Sequence, residues 1–151
     1  MEVQTDKKVE NTSSFCYTIQ SSRSAEEVFE FLLKVENWWM GIYKEEIIWS
    51  SNGQQKEFVF LAGDGLHYSK QKLLEIHDNR KIVWQVIESK LSFLETENEW
   101  DNTKLKFQLE PIERGTLVTF THEGLHEGIE CFQDCAKAWN LYLKQLQEKI
   151  T

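Results

Sequence analysis

Apolar residues in the last segment, Glu130 to Ile150, fall at Phe132, Cys135, Ala136, Trp139, Tyr142, Leu143, Leu146 and Ile150. Steps of three and four with single neighbours place them on one face of an α-helix. Gln133, Asp134, Lys137, Asn140, Lys144, Gln145, Gln147 and Glu148 fill the opposite face. At ~1.5 Å per residue this helix is about 30 Å long, enough to cross a small domain. The chain before it alternates with a period of two. Phe15, Tyr17 and Ile19 mark a first strand, and Leu105, Phe107 and Leu109 alternate with Lys104, Lys106 and Gln108. Val118, Phe120 and His122 share one face of a segment running from Gly115 to His122. Shorter runs at Glu46 to Ser50, Glu57 to Leu61, Leu66 to Ile76 and Arg80 to Glu88 read as further strands.

The punctuation between these runs sets the topology. Ser24, with Glu27 three residues on, forms a capping box for a helix that carries Val28, Phe31, Leu32 and Val35 and is followed by Trp38-Trp39-Met40-Gly41. Asn52-Gly53 is a two-residue hairpin signal, and Gly63-Asp64-Gly65 and Asp78-Asn79 are further turns. Ser89 to Asn102 carries Glu95, Glu97, Glu99 and Asp101 and reads as a solvated acidic loop. The expected fold class is α+β: six to seven antiparallel strands in one curved sheet around a long C-terminal helix, with a short helical segment after the first strand. Residues 1–12 read as a disordered polar tail, and residues 13–151 as a single domain.

Composition narrows the function classes. The chain has 151 residues, a formal net charge of −8, and six tryptophans. The acidic balance argues against nucleic acid as a partner, and no apolar run approaches the ~18 residues of a membrane span. Nothing marks export, so the chain reads as cytoplasmic and its three cysteines as reduced thiols. The six tryptophans fit either a filled core or the wall of an aromatic cavity.

The run SAEEVFEFLLKVENWWMG, the strand RKIVWQV, the segment GTLVTFTHEGL and the helix CAKAWNLYLKQL together resemble the START-like, or SRPBCC, superfamily. Within it they look most like the homologues of the activator of the ninety-kilodalton heat-shock protein's ATPase, over roughly Phe15 to Leu146. The chain departs from many members in having Asn52-Gly53-Gln54-Gln55 where they carry a Gly-Gly. The resemblance implies a helix-grip fold with a hydrophobic cavity between sheet and helix, which takes small apolar or lipid-like ligands in some relatives.

His122-Glu123-Gly124-Leu125-His126 matches the zinc motif H-E-x-x-H, which works when a helix puts both histidines on one face. Here it follows a strand, where residues i and i+4 lie ~13 Å apart, so no metal site is assigned. Cys131 and Cys135 are spaced as neighbours on the last helix, where helix geometry makes a disulfide awkward. His67 and His77 have no evident partners. No phosphate-binding loop, nucleophile elbow or carboxylate pair stands out, and no cofactor is implied.

The leading expectation is a non-enzymatic module that binds a small apolar ligand. Its cavity is expected to be lined by Trp38, Phe58, Phe60, Trp84, Phe107, Phe120 and His122, with Trp139 and Leu143 facing them. For Phe58, Phe60 and Trp84 the strand parity stays open, because both faces of those strands carry apolar residues. Two other classes remain: an interaction module that regulates a chaperone, as the family name implies, and an enzyme of the cyclase or hydratase type. Oligomeric state is left open.

Overall fold

The computed structural model describes residues 14–50 and 56–151. The expected tail at 1–12 and the Asn52-Gly53 turn lie outside the described residues. Seven strands form one antiparallel sheet in the order β1-β7-β6-β5-β4-β3-β2. They are β1 (Phe15–Ser21), β2 (Glu46–Ser50), β3 (Glu57–Ala62), β4 (His67–His77), β5 (Lys81–Leu91), β6 (Lys104–Ile112) and β7 (Gly115–Glu123). Two helices complete the fold, α1 (Ala25–Leu33) and α2 (Phe132–Ile150), with a 3-10 turn at Val35–Asn37. This is the helix-grip arrangement.

Local chemistry accounts for the helix ends. Ser24 and Glu27 form the reciprocal capping box of α1. The helix stops at Leu33 because Lys34 is extended, with φ −87° and ψ 95°. That break turns the chain so that Trp38 and Trp39 both enter the core. At the far end of α2, the Ser21 hydroxyl donates to the carbonyl of Ile150 and fastens the helix to β1. The β6–β7 hairpin approaches the same strand so closely that a Cβ on Gly115 (φ +133°) would lie 1.9 Å from the Ser21 carbonyl oxygen.

The pleat settles the open parities. Phe58 and Phe60 on β3, Trp84 on β5, Phe107 on β6 and Phe120 on β7 are all fully buried on the concave face, beneath α2. Register confirms their alignment: Phe107 lies opposite Phe120, and Leu105 opposite His122. Bulges between Lys70 and Gln71 and between Leu73 and Glu75 interrupt the β4–β5 ladder and increase its twist.

Two expectations need correcting. The acidic loop is shorter than expected and not wholly solvated, because β5 runs on to Leu91 and, although 95–98 are exposed, Leu94 and Trp100 are buried, Trp100 being only 3% exposed. An indole among four acidic residues, Glu95, Glu97, Glu99 and Asp101, folds inward because its apolar area outweighs its polar neighbours. The cysteines Cys131 and Cys135 are joined as a disulfide, with Cα atoms 5.6 Å apart, and only Cys16 is free. The bridge is geometrically accessible because the two residues lie one turn apart at the start of α2, with their Cα atoms inside the usual disulfide range.

Candidate functional site

A cavity of about 320 Å³ opens where the N-terminal turns of α2 pass over β3 and β4. Its inner wall is built from Trp39, Phe60, His67, Trp100, Trp139 and Tyr142. The rim is apolar and exposed: Tyr43 is 40%, Leu66 54% and Phe93 45% accessible. Asp134, Lys137 and Ala138 of α2 close the remaining side. Two other depressions, about 600 and 470 Å³, are open surface clefts lined mainly by charged and polar side chains such as Glu88, Lys90, Glu95, Arg80 and Lys81.

Each wall residue is placed by an identifiable device. Trp39 follows the break after α1 and stacks on Phe60, with ring centres 3.8 Å apart and planes within 12°. Trp139 sits at the centre of the α2 stripe, 5.1 Å from Trp39 and 6.0 Å from Trp100. The loop that carries Phe93 and Trp100 is tied to α2 by two carboxylates acting in opposite directions. Glu99 accepts the amides of Glu130 and Cys131 at 2.7 and 2.9 Å, just ahead of the first turn of α2. Glu130 accepts the amides of Glu95 and Thr96 at 3.0 and 3.1 Å, which hold its carboxyl below the usual range.

The rim near Tyr43 is fixed by Glu45. Its carboxylate accepts the amides of Gly41, Ile42 and Tyr43 at 2.8, 3.0 and 2.7 Å, and the hydroxyl of Tyr142 donates to it as well. Burial raises the Glu45 carboxyl, but the Tyr142 hydroxyl and these amides outweigh that and leave it lowered. Burial and then the Glu45 carboxylate push the Tyr142 phenol upward. Tyr142 is therefore a neutral wall residue whose proton is already committed.

Two histidines lie in this region. Burial brings His67 down to about 3, and burial followed by the nearby His67 does the same to His122. Both imidazoles meet Trp100 edge to face, each with ring centres 4.6 Å away. His122 is fully engaged. Trp139 Nε1–H donates to its Nδ1 at 3.0 Å, and its Nε2 lies 2.9 Å from Thr103 Oγ1, which donates in turn to the carbonyl of Trp100 at 2.7 Å. That chain of donors fixes the Nε2–H tautomer. With both nitrogens engaged, His122 has none left for a metal. His126 lies beyond Gly124, whose φ of +103° turns the chain, and its Nδ1 accepts the Gly128 amide. Among the described residues no group of three or more His, Cys, Asp or Glu could hold a metal ion.

Of the nine residues expected at the cavity, the structure places Phe60 and Trp139 on its wall. The other seven lie behind it. Trp38 stacks on Trp39 with planes 2° apart and donates its indole N–H to the carbonyl of Leu32. Phe58 and Trp84 meet at 4.8 Å, and Phe107 and Phe120 at 5.0 Å. Leu143 is fully buried, and His122 lies behind Trp100 and Trp139. Trp39, Tyr43, His67, Phe93, Trp100 and Tyr142 were not anticipated. For His67 a signal exists, since it shares the inward face of β4 with Ser69 and Gln71, both fully buried.

The family described as "Activator of Hsp90 ATPase homolog 1-like protein" matches residues 22–150. The chain belongs to this family. Three solved structures share its fold. The solution structure of an Aha1 dimer from Colwellia psychrerythraea is 22% identical, with a TM-score of 0.66 over 91% of this chain and 95% of that one. A protein from Chromobacterium violaceum is 18% identical, with a TM-score of 0.66 over 91% and 96%. A protein from Nitrosospira multiformis is 13% identical, with a TM-score of 0.68 over 91% and 96%. No curated protein matches the chain. Among the described residues no helix is long and apolar enough to cross a membrane.

Proposed function

We propose that the protein binds a small apolar ligand in the cavity between the sheet and the start of α2. The observation that carries this reading is the combination of an aromatic inner wall with an exposed apolar rim at Tyr43, Leu66 and Phe93. Ligand sites span about 300–1,000 Å³ and pair apolar walls with a few placed polar groups. The cavity's 320 Å³ lies at the small end of that range, and His67 supplies such a group. The role in the cell follows from whichever compound binds.

The test is thermal unfolding with a broad panel of fatty acids and aromatic compounds. A ligand that binds only the folded state raises Tm in proportion to its concentration over Kd. Ala138→Trp, on the α2 side of the cavity, fills the space and should abolish the shift while leaving the circular dichroism spectrum unchanged. If no compound shifts the wild type, the reading fails. Regulation of a chaperone ATPase, the second reading, rests on the family's description alone. Stimulation of a purified Hsp90 ATPase by this protein, with no shift from any compound, would put it first.

A further inference from the structure

We infer that the cavity is built for an uncharged planar aromatic molecule bearing one hydrogen-bonding group, lying against its aromatic wall and recognised by Nδ1 of His67. The inference rests on the reading that this cavity takes a ligand, and it makes that reading chemically specific.

The first observation is the shape of the wall. The indoles of Trp39, Trp100 and Trp139 all line the cavity, and their planes are nearly parallel. Trp100 and Trp139 differ by 9°, Trp39 and Trp100 by 21°, and Trp39 and Trp139 by 30°. Phe60 continues the set, 12° from Trp39. Aligned flat walls favour a flat occupant, because aromatic pairs in offset or edge geometry gain more than their buried area alone supplies. At about 320 Å³ the space suits one or two fused rings better than a long chain.

The second observation is where hydrogen-bonding capacity is left over. His122 has both nitrogens occupied, by Trp139 and Thr103. His67 has Nε2 engaged by Ser69 Oγ at 3.2 Å and its Nδ1 has no partner among the described residues, and on the same wall the buried Nε1–H of Trp100 is also unpaired among them. Because the Ser69 hydroxyl can donate or accept, the imidazole can present either a donor or an acceptor at Nδ1. A phenol and a ring carbonyl both fit it, whereas a hydrocarbon leaves it unpaired.

The third observation is charge. Burial keeps His67 neutral, and the phenol of Tyr142 is committed to Glu45. The charged side chains of α2 that line the cavity, Asp134 and Lys137, are of opposite sign and three residues apart on one helix face. An anionic group pushed to the inner wall therefore finds no cation there among the described residues, and burying it unpaired is costly.

Four probes separate the cases: 2-naphthol, naphthalene, 2-naphthoate and dodecanoate. Each is titrated into the protein with tryptophan fluorescence and with ¹⁵N spectra of the imidazoles. The expected result is that 2-naphthol binds about five- to tenfold more tightly than naphthalene, the worth of one net hydrogen bond. Bound naphthol should move the Nδ1 resonance of His67 and leave both nitrogens of His122 in place. In His67→Phe the two neutral probes should bind alike. Equal affinity of naphthol and naphthalene for the wild type, or an unmoved His67, overturns the inference and leaves an apolar site standing. Tighter binding of naphthoate or dodecanoate overturns it in favour of an anionic ligand. Failure of all four, with no shift from the broader panel either, removes the ligand site itself. The wild-type arms decide the matter even if His67→Phe does not fold.

Discussion

Trp139 donates its indole N–H to Nδ1 of His122 at 3.0 Å, joining the middle of α2 to β7 through the core. The bond requires an unprotonated imidazole, and so does the fully buried position of His122. A proton on Nδ1 would remove the acceptor and leave a buried cation facing a donor. His67, half-buried on the cavity wall, is lowered by burial as well. The acid behaviour of the protein follows from this pair.

Both histidines titrate near 6.5 when unfolded and near 3 when folded. The unfolded chain then binds more protons below 6.5, so stability is fully present above that value and falls as pH drops toward 3. The limiting slope is about 1.4 kcal/mol per pH unit for each histidine. Urea unfolding at pH 7.5, 6.5, 5.5 and 5.0 measures it, above the carboxylate midpoints of roughly 4. A free energy that stays level from pH 7.5 to 5.0 would contradict neutral burial of both groups.

Trp139→Ala removes a residue that belongs to the core on one side and the cavity on the other. A core aromatic truncated to alanine loses about 3–5 kcal/mol. Here the void merges with existing space, and His122 loses the partner of its Nδ1. The expected loss is about 3 kcal/mol, the low end of that range. Trp139→Phe should cost less and still perturb the His122 imidazole resonances. Chemical denaturation with histidine NMR tests both, and unchanged resonances in Trp139→Phe would argue against the indole hydrogen bond.

Gln71 is the opposite case. Its amide is fully buried, and neither Oε1 nor Nε2 has a hydrogen-bond partner among the described residues. Burying an unpaired amide costs roughly 1–3 kcal/mol. Gln71→Leu keeps most of the volume and removes the polar atoms, so it should raise stability by about 1 kcal/mol or more. A clear loss of stability in that variant would show that the amide has a partner in solution.

The Cys131–Cys135 bridge closes a short loop at the start of α2, for which chain entropy predicts about 2 kcal/mol of stabilisation. Alkylation of the native protein without reductant should label Cys16 alone. Labelling of all three residues under those conditions would return them to the reduced state that composition suggests. Reduction should lower the urea midpoint and speed hydrogen exchange in the first turn of α2.

The fold was readable because its signals are local and repeated. Period-two runs gave the strands, the period of α2 gave the helix, and Ser24 with Glu27 gave the cap. The cavity was harder to read because it depends on where elements end. Two neighbouring tryptophans look alike in sequence, yet the break at Lys34 sends Trp38 behind the wall and Trp39 onto it. Trp100 sits among acids that suggest solvent, and its burial depends on Glu99 reaching a helix start 31 residues away. No local pattern carries such a long-range pairing. His67 was nearer to legible, through its alternation with two buried polar residues on β4.

Glu99 and Glu130 each grip the backbone of the segment that bears the other. Both grips are on main-chain amides, so they are indifferent to which side chains stand at 95, 96 and 131. They do depend on the number of residues between the two attachment points. Surface loops usually drift in length while keeping their character. This one is constrained in the reverse sense: many substitutions should pass unnoticed between 95 and 98, whereas inserting or deleting a single residue there would slide Trp100 out of the wall.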